Sequence, residues 1–221
     1  MWKANEINIM LPHLNDHPLI GEIILIDNEP SQKNETTCSL SKVNYVTFEK
    51  NIFPTPSWNY GYKNAKFDKL FIINDDVLFS IAIVDAIYDA INDQNGIITI
   101  DQKSVRQPLL SLNDKHEWIS KITPEKIKLE PCGKLKHKAA IMIGIHRNSY
   151  ELIPEELLIH FNDYFLFKIC EMKKKQNLTI LGAEAHTEMS KTVKDFSQII
   201  KHERRIYPGI FKKYNIKNMS C

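Results

Sequence analysis

The stretch from residue 69 to residue 79 places acidic residues directly after a short apolar run. Residues 70–73 are apolar, which predicts a buried strand, and Asn74, Asp75 and Asp76 follow at once. Adjacent carboxylates at the end of a buried strand repel each other and lose hydration, so a fold keeps them most readily where a cation or hydrogen-bond donors neutralise them. In an open α/β sheet, ligands bind at the carboxyl ends of the strands. We therefore predict that Asp75 and Asp76 form a divalent-metal site for a phosphorylated ligand.

The same residues have a second interpretation. Asp is common where a turn leads into a helix, and residues 77–92 have a helical pattern, so one of the two carboxylates could serve as a helix N-cap. From this stretch alone, both interpretations stay open.

Apolar patterning along the rest of the chain alternates between strands and helices. The predicted strands cover residues 21–28, 43–48, 69–73, 96–101, 139–145 and 178–181. The predicted helices cover residues 4–16, 58–65, 77–92 and 155–175, with a basic helical tail from residue 191. This alternation predicts an α/β fold with a mixed, mostly parallel central sheet flanked by helices.

Composition excludes several classes of function. A net charge of +2 argues against a dedicated nucleic-acid binder. The four cysteines are widely spaced without a CxxC pair, so a zinc site is not predicted, and reduced thiols fit a cytoplasmic location. Neither GxGxxG nor GxxxxGK[ST] occurs, so Rossmann and P-loop nucleotide sites are unsupported.

Five motifs follow one another along the chain and together resemble a known family. They are the strand GEIILIDN at 21–28, the pattern N-x-G-x-x-x-A at 59–65, Asn-Asp-Asp at 74–76, Phe-Asn-Asp-Tyr-Phe at 161–165, and His186 followed by Ser190. In this order and spacing they resemble the GT-A nucleotide-sugar transferase fold, and in particular the family 2-like glycosyltransferases, over about residues 2–190.

The resemblance implies roles for individual residues. It implies a cation, Mn²⁺ or Mg²⁺, at Asp76, Asn74 and His186, since Asp oxygens select such hard metals. It implies a catalytic base at Asp163 with Asn162 beside it. The donor-binding residues would be Asp27, Asn28, Asn59, Gly61, Lys63 and Asp75, of which Lys63 is included because it lies one helical turn after Asn59.

The resemblance also implies a domain organisation. Residues 1–221 would form a single GT-A-like domain, with a nucleotide-binding half to about residue 101, an acceptor half over 102–190 and a basic helical tail over 191–221. Family members begin with a strand before the first helix, whereas this sequence opens on the helix. The sheet is therefore expected to lack the usual first strand.

The function that follows is a metal-dependent, inverting glycosyltransferase that moves a sugar from a UDP- or GDP-linked donor to a glycan, glycoprotein or lipid-linked acceptor. Two alternatives stay open. A nucleotidyltransferase uses a similar sheet but usually carries a Gly-rich signature near the N-terminus, which this sequence lacks. A GT-A-like scaffold without turnover is favoured by Asn74 and by the absent strand. The basic tail predicts a solvated face or a peripheral contact with an anionic membrane.

Overall fold

The computed structural model of the protein describes residues 6–28, 39–106, 115–117, 119, 126–132, 138–187 and 196–216. The strands among them are β1 (Ile23–Asp27), β2 (Val43–Thr47), β3 (Lys69–Ile73), β4 (Val77–Phe79), β5 (Asn95–Asp101), β6 (Val105–Arg106), β7 (Lys128–Pro131), β8 (Lys138–His146), β9 (Gln176–Leu181) and β10 (Ala185–Thr187). The α-helices are α1 (Glu6–Asp16), α2 (Pro54–Asn64), α3 (Ala82–Ala90), α4 (Asn162–Met172) and α5 (Ser197–Lys213).

The six predicted strands are confirmed as β1, β2, β3, β5, β8 and β9, but two predicted helices begin too early. The helix expected over 77–92 opens instead as β4, whose three apolar residues are all buried, and α3 begins only at Ala82. The helix expected over 155–175 begins at Asn162, because upstream backbone N–H groups bond to Glu203 rather than to a helical turn.

The central sheet has the strand order β3-β8-β5-β9-β7. Strand β8 runs antiparallel to both β3 and β5, and β5 runs parallel to β9, so the sheet is mixed and β3, β5 and β9 point the same way. The carboxyl ends of these three strands therefore lie at one edge, which we call the carboxyl edge. Strands β1 and β2 form a separate parallel pair, and β4-β10-β6 form a third small sheet.

Two apolar cores lie on the two faces of the central sheet, because neighbouring strand residues point to opposite faces. In β5, Ile98 belongs to the core under α1 and α3, whereas Ile97 belongs to the core under α4 and α5. Coverage on both faces explains why β5 is buried along its centre. Gly144 in β8 permits close packing of α3, since a Cβ there would lie 2.5 Å from Cγ2 of Ile87.

Short connections orient the helices relative to the carboxyl edge. Helix α1 leads into β1, α2 into β3 and α4 into β9, so each helix runs antiparallel to the strand that follows it. The N-terminus of each of these helices therefore lies near the carboxyl end of its strand. A contact between Asn28, at the end of β1, and Ser57, in α2, agrees with this arrangement.

Helix α5 is the predicted helical tail, and it packs into the second core. Ile210 and Phe211 belong to that core and Ile200 is also buried, while Lys201 and Arg205 on the other side of the helix are exposed. Among the described residues, no helix combines the length and apolarity that crossing a bilayer requires.

Candidate functional site

Several of the predicted acidic site residues lie at the ends of strands or at the starts of helices. Asp27 ends β1, residues 74–76 follow β3, and Asp163 lies in the first turn of α4. Helix α1 adds Glu6 at its first position. Of these acidic residues, Asp75 and Glu6 lie close enough to Asp76 for their charges to act on its carboxyl. The turn after β3 lies at the carboxyl edge, where α/β folds bind ligands.

Asp76 lies in the turn between β3 and β4. Its Oδ2 accepts a hydrogen bond of 2.9 Å from the hydroxyl of Thr187 on β10. Burial raises the pKa of the Asp76 carboxyl, the bond from Thr187 lowers it, and the negative charges of Asp75 and Glu6 raise it. A desolvated carboxylate beside other carboxylates gains strongly from a cation.

Its two neighbours differ in environment. The backbone N–H of Asn74 donates to the carbonyl of Ile141 at 3.0 Å, and the residue is exposed. Asp75 is half-buried and shares the turn. The alternative role of these acids as a helix N-cap is not seen at α3, whose N-cap residue is Ile81 without a side-chain cap bond.

Glu6 is a further acidic residue near Asp76 that the sequence did not predict. Its side chain is fully buried and forms an ion pair with Lys115. Within the part of the chain that the structure describes, its second oxygen has no hydrogen-bond partner. A Glu in the first turn of a helix is ordinarily solvated and interacts with the helix dipole, so nothing in the local sequence signals this burial.

The acidic residues suit a cation that a phosphorylated ligand helps to hold better than a cation held by protein side chains alone. Among the described residues, no group of three His, Cys, Asp or Glu side chains is arranged to hold a metal ion. Mg²⁺ in transferase sites is commonly held by one or two carboxylates, with substrate phosphates and water completing its shell. Asp76 with Asp75 meets that smaller requirement.

His186 is buried in β10, next to Thr187. Adjacent residues of a strand point to opposite faces, so His186 lies on the other face of β10 from the hydroxyl that contacts Asp76. This placement does not favour the predicted ligation of a metal by His186. Ser190, the other residue of that motif, lies outside the described residues.

Asn162 and Asp163 open α4, and each side chain caps the next backbone N–H. Oδ1 of Asn162 accepts from the N–H of Asp163 at 2.8 Å, and Oδ1 of Asp163 accepts from the N–H of Tyr164 at 2.7 Å. Desolvation raises the pKa of Asp163 to about 6, against the lowering effect of hydrogen bonds from the backbone N–H groups of Tyr164 and of Asp163 itself. A desolvated carboxyl that ionises near pH 6 has the properties expected of a general base.

Asp27 and Asn28 lie at the tip of β1 with well-defined contacts. Asp27 is buried and accepts a 2.8 Å hydrogen bond from the hydroxyl of Tyr45 on β2. Oδ1 of Asn28 accepts from the N–H of Ile52 at 3.1 Å, and its amide reaches Ser57 at 3.4 Å. These contacts hold the strand tip against the start of α2.

The three predicted donor residues on α2 lie in different environments. Asn59 is buried, and its amide bonds to both backbone groups of Ile153 and to the hydroxyl of Tyr150, which favours a structural role. A Cβ added at Gly61 would meet nothing within 4 Å. Lys63 is exposed and, with residues of α2 and of the segment after β2, lines an open cavity of about 250 Å³.

Comparison with known proteins supports the fold. No family model matches the sequence, and no curated protein matches it. The inositol-1-phosphate CTP transferase from T. maritima is similar in structure, with a TM-score of 0.50 and 9% identity, over 88% of this chain and 82% of that one. GalNAc-T7 in complex with UDP, GalNAc and Mn²⁺ has a TM-score of 0.49 and 13% identity, over 82% of this chain.

These likenesses bear on architecture alone. This chain spans 41% of the length of GalNAc-T7. The predicted fold class is confirmed as a mixed α/β sheet flanked by helices, similar in fold to the CTP transferase.

Proposed function

We propose that this protein is a metal-dependent glycosyltransferase that moves a sugar from a UDP- or GDP-linked donor to a glycan, glycoprotein or lipid-linked acceptor. The observation that supports the proposal is burial at two carboxyls, Asp76 in the turn after β3 and Asp163 in the first turn of α4, which raises the pKa of each. A fold tolerates such groups where they serve binding or chemistry.

Asp76, supported by Asp75, would hold Mn²⁺ or Mg²⁺ together with the donor diphosphate. Such a cation stabilises the negative charge that the diphosphate gains as the sugar leaves. Asn74 offers an uncharged oxygen and would bind more weakly. Asp27 and Asn28 offer acceptors to the base N–H or to ribose hydroxyls of the donor.

Asp163 would take the proton from the acceptor hydroxyl as that oxygen attacks the sugar. Its pKa of about 6 leaves it ionised at neutral pH yet more basic than an ordinary carboxylate. General-base assistance of this kind contributes roughly 10²–10⁴-fold to the rate. Direct attack by the acceptor inverts the anomeric centre, so an inverting reaction follows from this role.

Calorimetry with UDP- and GDP-sugars in the presence of Mn²⁺ tests the proposal. We expect saturable binding that is lost in Asp76→Ala while the variant stays folded, and transfer to an acceptor that is lost in Asp163→Asn. A folded protein that binds no nucleotide would contradict the proposal and favour a scaffold. The exposed cationic face of α5 is compatible with a lipid-linked acceptor, which vesicles carrying one would test.

A nucleotidyltransferase is the second candidate, because the likeness to the CTP transferase covers most of both chains. The two functions differ in their products. A glycosyltransferase releases a nucleoside diphosphate from a sugar nucleotide. A nucleotidyltransferase moves a nucleotide from a nucleoside triphosphate to a phosphorylated acceptor, and the triphosphate loses pyrophosphate. Assaying both products from matched substrates separates the candidates.

A further inference from the structure

One face of α5 follows the segment that leads into Asp163. Glu203, Tyr207 and Phe211 are four residues apart and so lie on one side of the helix. Phe161 stacks on Tyr207 with ring centroids 4.1 Å apart and planes at 16°. Tyr164 stacks on Phe211 with centroids 5.2 Å apart and planes at 14°. Three successive turns of α5 therefore contact three successive parts of residues 159–164.

Glu203 makes the most specific of these contacts. Its side chain is fully buried, and its two oxygens accept 2.8 Å hydrogen bonds from the backbone N–H groups of Ile159 and His160. Bonds from two consecutive N–H groups to one carboxylate fix the local backbone, and a charged acceptor makes them stronger than neutral bonds. The ionisable groups beside this contact are His160 and Arg204. Burial and the positive charge of Arg204 lower the pKa of His160, and the charge of Glu203 raises it.

The contact lies immediately before the first turn of α4. Phe161 is the N-cap residue of α4 and offers no side-chain cap bond. The position of this helix end therefore depends on what holds residues 159–161, and Glu203 and Tyr207 of α5 hold them. Asp163 lies two residues further on, so a shift in this segment moves its carboxylate.

We propose that Glu203 is a positioning residue for Asp163, and that α5 is a working part of the acceptor side of the site rather than a solvated tail. The expected effect of Glu203 on catalysis rests on the proposed function. The expected structural coupling between Glu203 and Asp163 does not rest on it.

The kinetic test compares Glu203→Gln with Lys201→Gln, a control on the exposed side of the same helix. Gln can accept only one of the two bonds, because its amide nitrogen is a donor. We expect kcat to fall about 10- to 100-fold, as for a displaced catalytic group, with the donor KM changed less than about twofold. The acidic limb of the pH profile should also move. An unchanged kcat and pH profile in folded Glu203→Gln would overturn the proposal.

The second test needs no turnover. Asp163→Asn should raise the melting temperature at pH 8 by a few degrees, on the order of 2–4 °C, because it removes a desolvated charge. If Glu203 holds Asp163 in its desolvated position, at least half of this rise should disappear in the Glu203→Gln background. If the melting-temperature changes of Asp163→Asn and Glu203→Gln add fully in the double variant, Glu203 stabilises the fold without positioning Asp163. Absence of transfer in the unmodified protein would count against the proposed function alone.

Tyr207 supplies a parallel comparison if Glu203→Gln does not fold. Tyr207→Phe keeps the ring that stacks on Phe161, whereas Tyr207→Leu removes it. We expect the melting effect of Asp163→Asn to persist in the Phe variant and to shrink in the Leu variant. Equal effects in the two backgrounds would contradict the coupling.

Discussion

The hydroxyl of Thr187 donates a 2.9 Å hydrogen bond to Oδ2 of Asp76, joining residues 111 positions apart in the sequence. The bond is possible because β10 pairs antiparallel with β4, which sets Thr187 opposite Val77, the residue after Asp76. The short strand β10 thus orients the best candidate for a metal ligand. It also lowers the pKa of that carboxyl, in opposition to burial.

Replacing Thr187 by Val should therefore weaken cation-dependent nucleotide binding. The lost bond lets the pKa of Asp76 rise further, so the carboxyl is more often protonated and a poorer ligand. Loss of a hydrogen bond whose net contribution is about 1 kcal/mol lowers the affinity roughly fivefold. Titration of UDP with Mn²⁺ at pH 6 and pH 8 checks this, with the larger loss expected at pH 6. Thr187→Ser keeps the hydroxyl and should behave as the unmodified protein; equal losses in both variants would contradict the role of the bond.

Metal binding should depend on the nucleotide. The described chain offers carboxylates at Asp75 and Asp76 but no group of three metal-ligating side chains, so in the proposed site phosphate oxygens would complete the shell. We expect Mn²⁺ affinity to rise on the order of tenfold or more when UDP or GDP is present. Calorimetric titration of Mn²⁺ with and without nucleotide measures this, and Asp76→Asn should abolish the difference. Equally tight binding of Mn²⁺ without nucleotide would indicate a different, enclosed site.

The sequence predicted where the strands β1 and β3 of the candidate site end. The apolar runs of β1 and β3 and their polar tips are local signals, so Asp27 and the turn carrying Asp76 were predictable. Strands β4 and β10 have three residues each, too few for a periodic pattern. The apolar Val77 fits the start of a helix as well as it fits a strand, so the prediction extended the helix to include it.

The remaining contacts depend on tertiary packing and leave no local signal. Glu203 lies in a basic helix whose composition predicts a solvated face, yet it is fully buried. Asn59 matches a family motif associated with the donor, yet its amide is occupied by Ile153 and Tyr150. In both cases the partner is more than 40 residues away in the sequence, beyond the reach of spacing or periodicity.

Asn59 and Gly61 should respond oppositely to alanine, although they belong to one motif. Asn59→Ala removes three buried hydrogen bonds and leaves their partners unpaired, so we expect a loss of about 2–4 kcal/mol in the free energy of unfolding. Gly61→Ala adds a methyl group into open space within a helix, so stability should rise by up to about 1 kcal/mol. Urea unfolding of both variants measures these changes.

Gly61→Ala also reports on the donor site. If the donor approaches the backbone at Gly61, the variant will lose nucleotide affinity while gaining stability. If affinity is unchanged, Gly61 lies away from the donor, and the predicted role of this residue is wrong.

Asp163→Asn should stabilise the protein at neutral pH while impairing transfer. Burial raises the pKa of Asp163 to about 6 from an ordinary value of 3.8, so the folded protein binds this proton more tightly than the unfolded chain does. The free energy of unfolding therefore falls as pH rises from about 4 to about 6, and above pH 6 the folded protein carries the full cost of a desolvated charge. Asn keeps an acceptor for the N–H of Tyr164 without the charge, so a gain of about 1–2 kcal/mol is expected at pH 8 and almost none at pH 4.

The same variant distinguishes a base from a donor ligand. A base is needed only as the acceptor attacks, so kcat should fall roughly 10²–10⁴-fold while donor affinity stays nearly constant, and the loss of activity below about pH 6 should disappear from the residual rate. Stability, donor binding and the pH profile of transfer are measured on the same preparations. A large loss of donor affinity would instead assign Asp163 to the donor site. A stability gain without any change in transfer would mean that its desolvation is a cost of packing α4 against α5, unconnected with chemistry.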